Sequence, residues 1–180
     1  GEKLTVLRDD VARRRRRLQP GSREPMTLLF SLSGAGCYVK LLRRMLMALN
    51  GALKRGAVKF IAGLHDNRRV YAGLDRWLKA TGLDATGAVS LLYDADIWKA
   101  FRKYNATLRT ADLLVTKPGE LVFYAALGVP QILLPCVGRH EQAKTVLSHA
   151  EALDLAEDFR YLPLIEEAMA QLAHAGRHER

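Results

Sequence analysis

The sequence predicts an α/β domain built on a doubly wound parallel sheet, with helices on both faces and a basic arm at the N-terminus. Three observations support this fold class. Short apolar runs alternate with longer amphipathic segments at least five times along the 180 residues. The apolar runs are hydrophobic at consecutive positions, which is typical of parallel strands that are covered on both sides. The hydrophobic fraction of 49% excludes a disordered chain, and the length suits one compact domain.

Residues 1–25 differ in charge from the remainder of the chain. They hold eight of the 28 Lys and Arg residues, including the uninterrupted run Arg13–Arg17. Such a run is ordinarily a solvated face, and contacts with an anionic membrane or with nucleic acid are the alternatives. Nucleic acid is disfavoured because no aromatic residues are interleaved to stack on bases. We therefore predict a basic arm or linker at 1–25 and a domain at 26–180, with a net charge of +9 that favours anionic partners.

The elements follow in order from local patterns. An apolar run predicts the first strand at 26–32, and hydrophobic residues three or four positions apart predict the first helix at 37–53. Further strands are predicted at 58–64, 88–93, 113–116 and 132–135. Further helices are predicted at 67–80, 94–108, 120–127, 141–153 and 164–173, while 154–162 is left open between a short strand and irregular structure.

The ends of the helices carry residues that stop or start helical backbone. Gly56, Gly82 and Gly128 follow the first, second and fourth helices, and glycine is common just after a helix C-terminus. Asp94 is placed to cap the third helix, and Pro118 stands where the first residue of the fourth helix is expected. These signals support the predicted spans.

In a doubly wound sheet, ligands bind in loops at the carboxyl ends of the strands, and three such loops carry unusual residues. After the first strand comes a turn of small residues that lets backbone amides approach an anion beside the positive end of the next helix. It is formed by Ser33, Gly34, Ala35 and Gly36. The turn has neither the Gly-Lys-Ser/Thr ending of a Walker loop nor a glycine at position 39, so a diphosphate site and a tight turn that binds nothing stay equally open.

The loop after the fourth strand holds Thr116, Lys117, Gly119 and Glu120. Lys117 is placed to neutralise phosphate charge, and Gly119 allows close approach of the backbone to a ligand. Glu120 lies in a first helical turn, where the helix dipole stabilises a carboxylate, so capping is at least an equal alternative to ligand contact. We favour an anion-binding role for Lys117 because a helix N-terminus lies beside it.

The loop after the fifth strand holds His140, Glu141 and Gln142 at the start of a helix. Together they offer donors and acceptors for sugar hydroxyls, with an N-terminal cap followed by surface polar residues as the alternative. No histidine has a second ligand at metal-binding spacing, so no metal site is predicted. Asp94 and Asp96, after the third strand, are placed to hold a ribose or to cap a helix, and we favour capping.

The composition also indicates where in the cell the protein is located. The sequence has no apolar run long enough to span a membrane and no secretory signal. Its two cysteines, Cys37 and Cys136, are isolated and fit a reducing compartment, so we expect a cytoplasmic location, with peripheral contact of the arm with an anionic membrane as an option. The chain does not begin with Met, so we expect either a fragment of a longer protein or a processed chain.

Several of these features occur in an order known from glycosyltransferases. The small-residue loop Ser33–Gly36 is followed by an Ala-Asp pair that opens a strand, by a helix that ends in the Gly-x-Pro segment Gly128–Pro130, and by a strand that ends in Pro135. An acid–Gln pair, Glu141–Gln142, then opens the next helix. Over about 26–155, the chain resembles the C-terminal, donor-binding half of GT-B-type glycosyltransferases. It is similar to the lipid-II N-acetylglucosaminyltransferase and galactolipid synthase families.

The resemblance implies a Rossmann-like fold and a nucleotide-sugar donor, commonly a UDP-sugar. The diphosphate would lie on Ser33–Gly36 and near Thr116–Gly119, and Glu141–Gln142 would meet the sugar hydroxyls, with Glu120 and His140 beside them. No bound metal and no cofactor is implied, since helix ends and basic groups stabilise the leaving diphosphate. An acceptor-binding domain, which often supplies the base, would lie outside this sequence, so we assign no catalytic residue.

One position departs from the family pattern. A glutamate that holds the ribose usually stands five residues before the Gly-x-Pro glycine, and here that position is Phe123, with Glu120 three residues earlier. We expect a donor-binding domain that is part of a hexosyltransferase, for which a lipid acceptor is one option. The alternatives are a non-catalytic nucleotide- or phosphate-binding module and a sugar-nucleotide epimerase of the same fold.

Overall fold

The computed structural model of the protein describes residues 2–18, 22–32, 38–117, 124 and 128–134. The helices within these residues are α1 (Glu2–Leu18), α2 (Val39–Ala48), α3 (Asn50–Lys54), α4 (Arg68–Thr81) and α5 (Ile97–Thr110), with a 3-10 turn at Asp84–Thr86. The strands within them are β1 (Met26–Ser31), β2 (Val58–His65), β3 (Val89–Tyr93), β4 (Leu113–Thr116) and β5 (Gln131–Leu133).

The five strands form one parallel sheet in the order β3-β2-β1-β4-β5. The chain first winds outward from β1 to β2 and β3, and then crosses back to place β4 on the other side of β1. This reversal is the mark of a doubly wound sheet, and it puts the switch point between β1 and β4. The predicted α/β fold with a parallel sheet is confirmed.

The sheet is covered on both faces, which explains why its strands are apolar at consecutive positions. All six residues of β1 are buried. Leu28 and Phe30 belong to a core shared with α2, α3 and α4, whereas Leu29 between them packs with Tyr104 and Leu108 of α5. Both sets of side chains in β1 are therefore removed from water, as the continuous apolar pattern predicts.

Over the described part of the chain, the bounds of most elements agree with the prediction to within a few residues. The helix predicted at 37–53 is divided at Leu49 into α2 and α3. Gly56 and Gly82 have positive φ angles of 68° and 69°, which confirms them as residues that end a helix. Outside the described residues lie the predicted elements at 120–127 (apart from Tyr124, which is helical), 141–153, 154–162 and 164–173.

The start of α5 differs from the prediction for a local reason. The carboxylate of Asp96 accepts two backbone N–H groups of the first turn, so the helix begins at Ile97. The prediction that Asp94 caps this helix is therefore wrong. Its carboxylate accepts the N–H of Asp96 at 3.0 Å and pairs with Lys103 at 2.8 Å. The favoured interpretation of these two aspartates as capping residues is confirmed for Asp96.

The arginine run lies in α1 and fastens that helix to the end of α5. Arg14 is only 4% exposed and donates to the carbonyl oxygens of Ala111 and Gly128, each at 2.8 Å. Arg17 donates to the carbonyl oxygen of Thr110 at 2.8 Å. Cationic groups at the C-terminal end of α5 interact favourably with the negative end of its dipole. The prediction of a solvated face is therefore wrong for Arg14 and Arg17, whereas the two arginines between them are exposed.

Gly63 of β2 faces Tyr104 of α5 without room for a side chain. A Cβ atom at this position would lie 2.9 Å from Tyr104 Cε2 and 3.1 Å from Cδ2. We expect Gly63→Val to lower the free energy of unfolding by about 2 kcal/mol, as overpacking commonly does. Urea denaturation measures this change.

Gly73→Ala is the matched control for that substitution. Gly73 lies in the middle of α4, and nothing lies within 4 Å of the position of its Cβ. Alanine should therefore raise the free energy of unfolding by up to about 1 kcal/mol, because it is the better helix former. A Gly63→Val protein as stable as the wild type would contradict the close packing of β2 on α5.

Candidate functional site

The switch point of the sheet lies between the carboxyl ends of β1 and β4, where doubly wound sheets bind their ligands. These strands pair in parallel with Phe30 opposite Val115, so Ser31 and Thr116 are their last, neighbouring residues. Both side chains are buried. Lys117 follows immediately after Thr116 and is partly buried. The register therefore brings Lys117 to the edge from which the loop after β1 also leaves.

Lys117 meets the beginning of α2 across this edge. Its Nζ atom lies 5.4 Å from the centre of the Tyr38 ring, in the geometry of a cation–π contact. Tyr38 precedes α2 and has a left-handed backbone, with φ at 71°. The first turn of α2 contains no acidic residue, and no side chain among the described residues caps its N-terminus. A lysine ammonium and the positive end of a helix dipole thus lie side by side, an arrangement suited to an anion.

The predicted site residues divide into two groups. Thr116 and Lys117 are described: Thr116 ends β4, and Lys117 follows it at the carboxyl edge of the sheet. The remainder lie outside the described residues: Ser33, Gly34, Ala35, Gly36, Gly119, Glu120, His140, Glu141 and Gln142. Leu32 and Tyr38, the described residues on either side of residues 33–37, lie at the carboxyl edge of the sheet: Leu32 follows β1, and the Tyr38 ring lies beside Lys117.

His65 is a candidate functional residue that no sequence motif indicates. It ends β2 at the same edge of the sheet, next to a shift of register between β2 and β3, and its φ angle is 53°. Its ring lies 5.1 Å from that of Tyr104 and 5.6 Å from that of Phe101. Its Nδ1 atom is buried and has no hydrogen-bond partner among the described residues. Strained backbone and an unsatisfied buried nitrogen are both costly, and such features concentrate at functional sites.

Asp112, the aspartate of the Ala-Asp pair, lies at the opposite edge of the sheet. It is fully buried, with 0% exposure. Its Oδ2 accepts the N–H of Thr27 at 2.8 Å, and its Oδ1 pairs with Arg17 of α1 at 2.7 Å. Burial raises the pKa of this carboxyl, against the opposing effects of the Thr27 N–H and the Arg17 guanidinium. Asp112 therefore holds α1 to the sheet and lies away from the switch point.

A second carboxylate joins α1 to α5. Asp10 accepts a hydrogen bond from Arg109 Nε at 2.8 Å and also pairs with Arg13. The hydrogen bond from Arg109 lowers the pKa of Asp10, and the Arg13 guanidinium acts in the same direction. Asp10, Arg14 and Arg17 of α1 are thus matched to groups at the end of α5 and at the amino edge of the sheet.

Two further findings apply to the residues that the structure describes. Among them, no three His, Cys, Asp or Glu side chains are grouped closely enough to hold a metal ion. No helix in the described ranges is both long enough and apolar enough to cross a membrane.

A family model described as "Domain of unknown function (DUF6938)" matches residues 76–178, more than half of the chain. The matched region begins within α4 and contains α5, β4 and Lys117, whereas β1, Tyr38 and His65 precede it. No curated protein and no solved structure matches the chain.

Proposed function

We propose that this chain, which belongs to the DUF6938 family, binds the diphosphate of a nucleotide sugar at the switch point between β1 and β4 and serves as the donor-binding domain of a glycosyltransferase. The observation that carries the proposal is the position of Lys117. Its ammonium lies beside Tyr38, at the start of α2, where the chain returns from the small-residue loop.

The chemistry of a diphosphate fits this corner of the sheet. A nucleoside diphosphate brings negative charge, which a lysine ammonium and the unpaired N–H groups of a helix N-terminus both stabilise. During transfer of a sugar, negative charge grows on the leaving diphosphate as the glycosidic bond breaks. Donors fixed in advance at that position lower the barrier without a bound metal. The doubly wound strand order supports the assignment, because such sheets bind nucleotides at their switch point.

The resemblance to GT-B-type enzymes extends the proposal to the remainder of the donor. Glu141 and Gln142 are assigned to the sugar hydroxyls, with Glu120 and His140 beside the ribose or sugar. The nucleotide is proposed to be UDP. The acceptor and the catalytic base are assigned to a further domain, as in the families that the chain resembles.

Phe123 favours a second candidate function. It replaces the glutamate that usually holds the ribose, so a domain that binds a nucleotide or phosphate without catalysing transfer is the alternative. An epimerase of the same fold would also retain the diphosphate site and would differ in the chemistry that follows. All three functions use the same anion site. They differ in whether a sugar is bound and in what happens to it.

Thermal unfolding in the presence of UDP, GDP, ADP and TDP, and of their sugar conjugates, tests the proposal. A ligand that binds the native state at about 100 times its Kd adds about 2.7 kcal/mol, which should raise Tm by about 5–10 °C for a chain of this size. We expect UDP and a UDP-sugar to raise Tm, with the UDP-sugar more effective. Uridine and inorganic phosphate are the matched controls and should have little effect.

The outcomes separate the candidates. A shift with UDP that is not increased by any attached sugar favours the non-catalytic module. Equal shifts with every diphosphate and with inorganic diphosphate would indicate an anion site without nucleotide recognition. No shift with any of these compounds would contradict the proposed site.

A further inference from the structure

Two aromatic side chains project from the first turns of α5 into solvent. Trp98 is 70% exposed and Phe101 is 41% exposed. Their ring centres are 6.4 Å apart, so the rings form one continuous apolar patch. Single exposed hydrophobic residues are common on protein surfaces, and Met47 on α2 is such a case. A contiguous pair of large rings is different, since patches of this kind mark interaction surfaces.

The rest of α5 holds this patch in place. Ala100 and Tyr104, on the inner side of the helix, are buried against the sheet. The Phe101 ring also rests on His65, with 5.6 Å between the ring centres, and His65 in turn contacts Tyr104. The inner face of α5 is thus buried against the sheet, and Trp98 and Phe101 lie outside it at the surface.

Basic residues occupy exposed positions on the same two turns of α5. Lys99 and Arg102 are exposed and stand next to Trp98 and Phe101 in the sequence. Lys103 is also exposed, with its charge paired to Asp94 at 2.8 Å. The acid closest to the patch along α5 is the N-cap Asp96, whose carboxylate accepts two backbone N–H groups. The positions on this outer surface therefore combine aromatic rings with positive charge.

We infer that the α5 patch, formed by Trp98, Lys99, Phe101 and Arg102, docks on the surface of an anionic lipid bilayer. Tryptophan is favoured at the level of lipid headgroups because its ring is largely apolar but carries a polar N–H group. Lysine and arginine lay their aliphatic stems along an apolar surface and extend their charges to headgroup phosphates. The patch thus matches both the apolar and the anionic components of such a surface.

The arrangement favours a bilayer over a single-stranded nucleic acid. The two ring planes are inclined by 47°, whereas successive bases stack on faces that are closer to parallel. The arginine run is a weaker candidate for this contact, because Arg14 and Arg17 donate to backbone carbonyls of the chain itself. The α5 patch begins at the carboxyl edge of the sheet, and it does not depend on whether a nucleotide binds there.

Flotation with lipid vesicles tests this inference. We expect the wild-type chain to float with vesicles that contain phosphatidylglycerol and not with vesicles of pure phosphatidylcholine, and to dissociate as salt is raised. The double variant W98A/F101A should lower the partition coefficient by about tenfold or more, since both rings leave water on binding. The variant K99E/R102E should lower binding to the anionic vesicles by a similar factor.

Controls keep a loss of binding separate from a loss of fold. Met47→Ala removes an exposed hydrophobic side chain on a different helix and should leave flotation unchanged. The single variant Trp98→Ala should unfold at a temperature close to that of the wild type, because its ring is 70% exposed, and it should still lower flotation. Equal flotation of the wild type and both variants would overturn the inference. So would tight binding of a single-stranded oligonucleotide that W98A/F101A loses, without any flotation.

Discussion

Replacing Asp112 with alanine should lower the free energy of unfolding by about 3–5 kcal/mol, the usual cost of removing one member of a buried ion pair. The carboxylate is fully buried between the start of β1 and α1. Its loss leaves the Thr27 N–H without an acceptor and the Arg17 guanidinium without its counter-ion. Arg14, which lies nearby and is itself buried, loses a compensating charge as well.

Urea denaturation of matched variants measures this effect. Asp112→Asn keeps an acceptor for the Thr27 N–H and removes only the charge, so its loss should be smaller than that of Asp112→Ala. Asp75→Ala is the surface control. It breaks a pair with Lys79 in which both side chains are exposed, and it should cost less than about 1 kcal/mol. Similar small losses for Asp112→Ala and Asp75→Ala would show that the buried network does not stabilise α1 on the sheet.

The sheet could be predicted because its signals are local. The runs that form β1, β2 and β4 are short and apolar, and the residues that end α2–α3 and α4 are glycines with positive φ. Such signals act within a few residues, so the bounds are correct to within a turn. Asp94 and Asp96 show the limit of this reasoning. Either carboxylate can cap a helix, and only the path of the chain after β3 decides that Asp96 does.

The docking of α1 could not be predicted from the same information. Arg13, Arg14 and Arg17 donate to backbone carbonyls 93 to 114 residues further along the chain. Every residue has a carbonyl, so the sequence contains no complementary signal for these hydrogen bonds. Without it, an arginine run resembles a solvated arm. The fold supplies the partners by bringing the end of α5 and the start of β4 beside α1.

In the candidate site, too, some residues can be predicted from local sequence and others cannot. A lysine after a strand of a doubly wound sheet is visible in the sequence, and Lys117 is found at the switch point. The positive φ of His65 is not visible in the sequence, because it occurs at a shift of register between β2 and β3 that no local residue pattern indicates. Its contacts with Phe101 and Tyr104 depend on how α5 crosses the sheet.

Replacing Lys117 with alanine should weaken the binding of a nucleoside diphosphate by about ten- to a hundredfold. A hydrogen bond to a charged group contributes about 1.5–3 kcal/mol, and each 1.4 kcal/mol corresponds to a factor of ten in Kd. Isothermal titration calorimetry with UDP measures the change, and inorganic diphosphate serves as the probe if UDP does not bind. The fold should be little affected, since Lys117 is partly exposed and its contact within the described part of the chain is the cation–π contact with Tyr38.

Two matched variants show whether the effect belongs to the switch point. Lys59→Ala removes the same charge from an exposed position near the amino end of β2, at the opposite edge of the sheet. Net charge falls equally in both variants, so a general electrostatic effect would weaken binding equally in both. Lys117→Arg keeps the charge and should retain most of the affinity. If Lys117→Ala and Lys59→Ala bind equally well, the diphosphate does not lie between β1 and β4, and the donor site proposed here is in the wrong place.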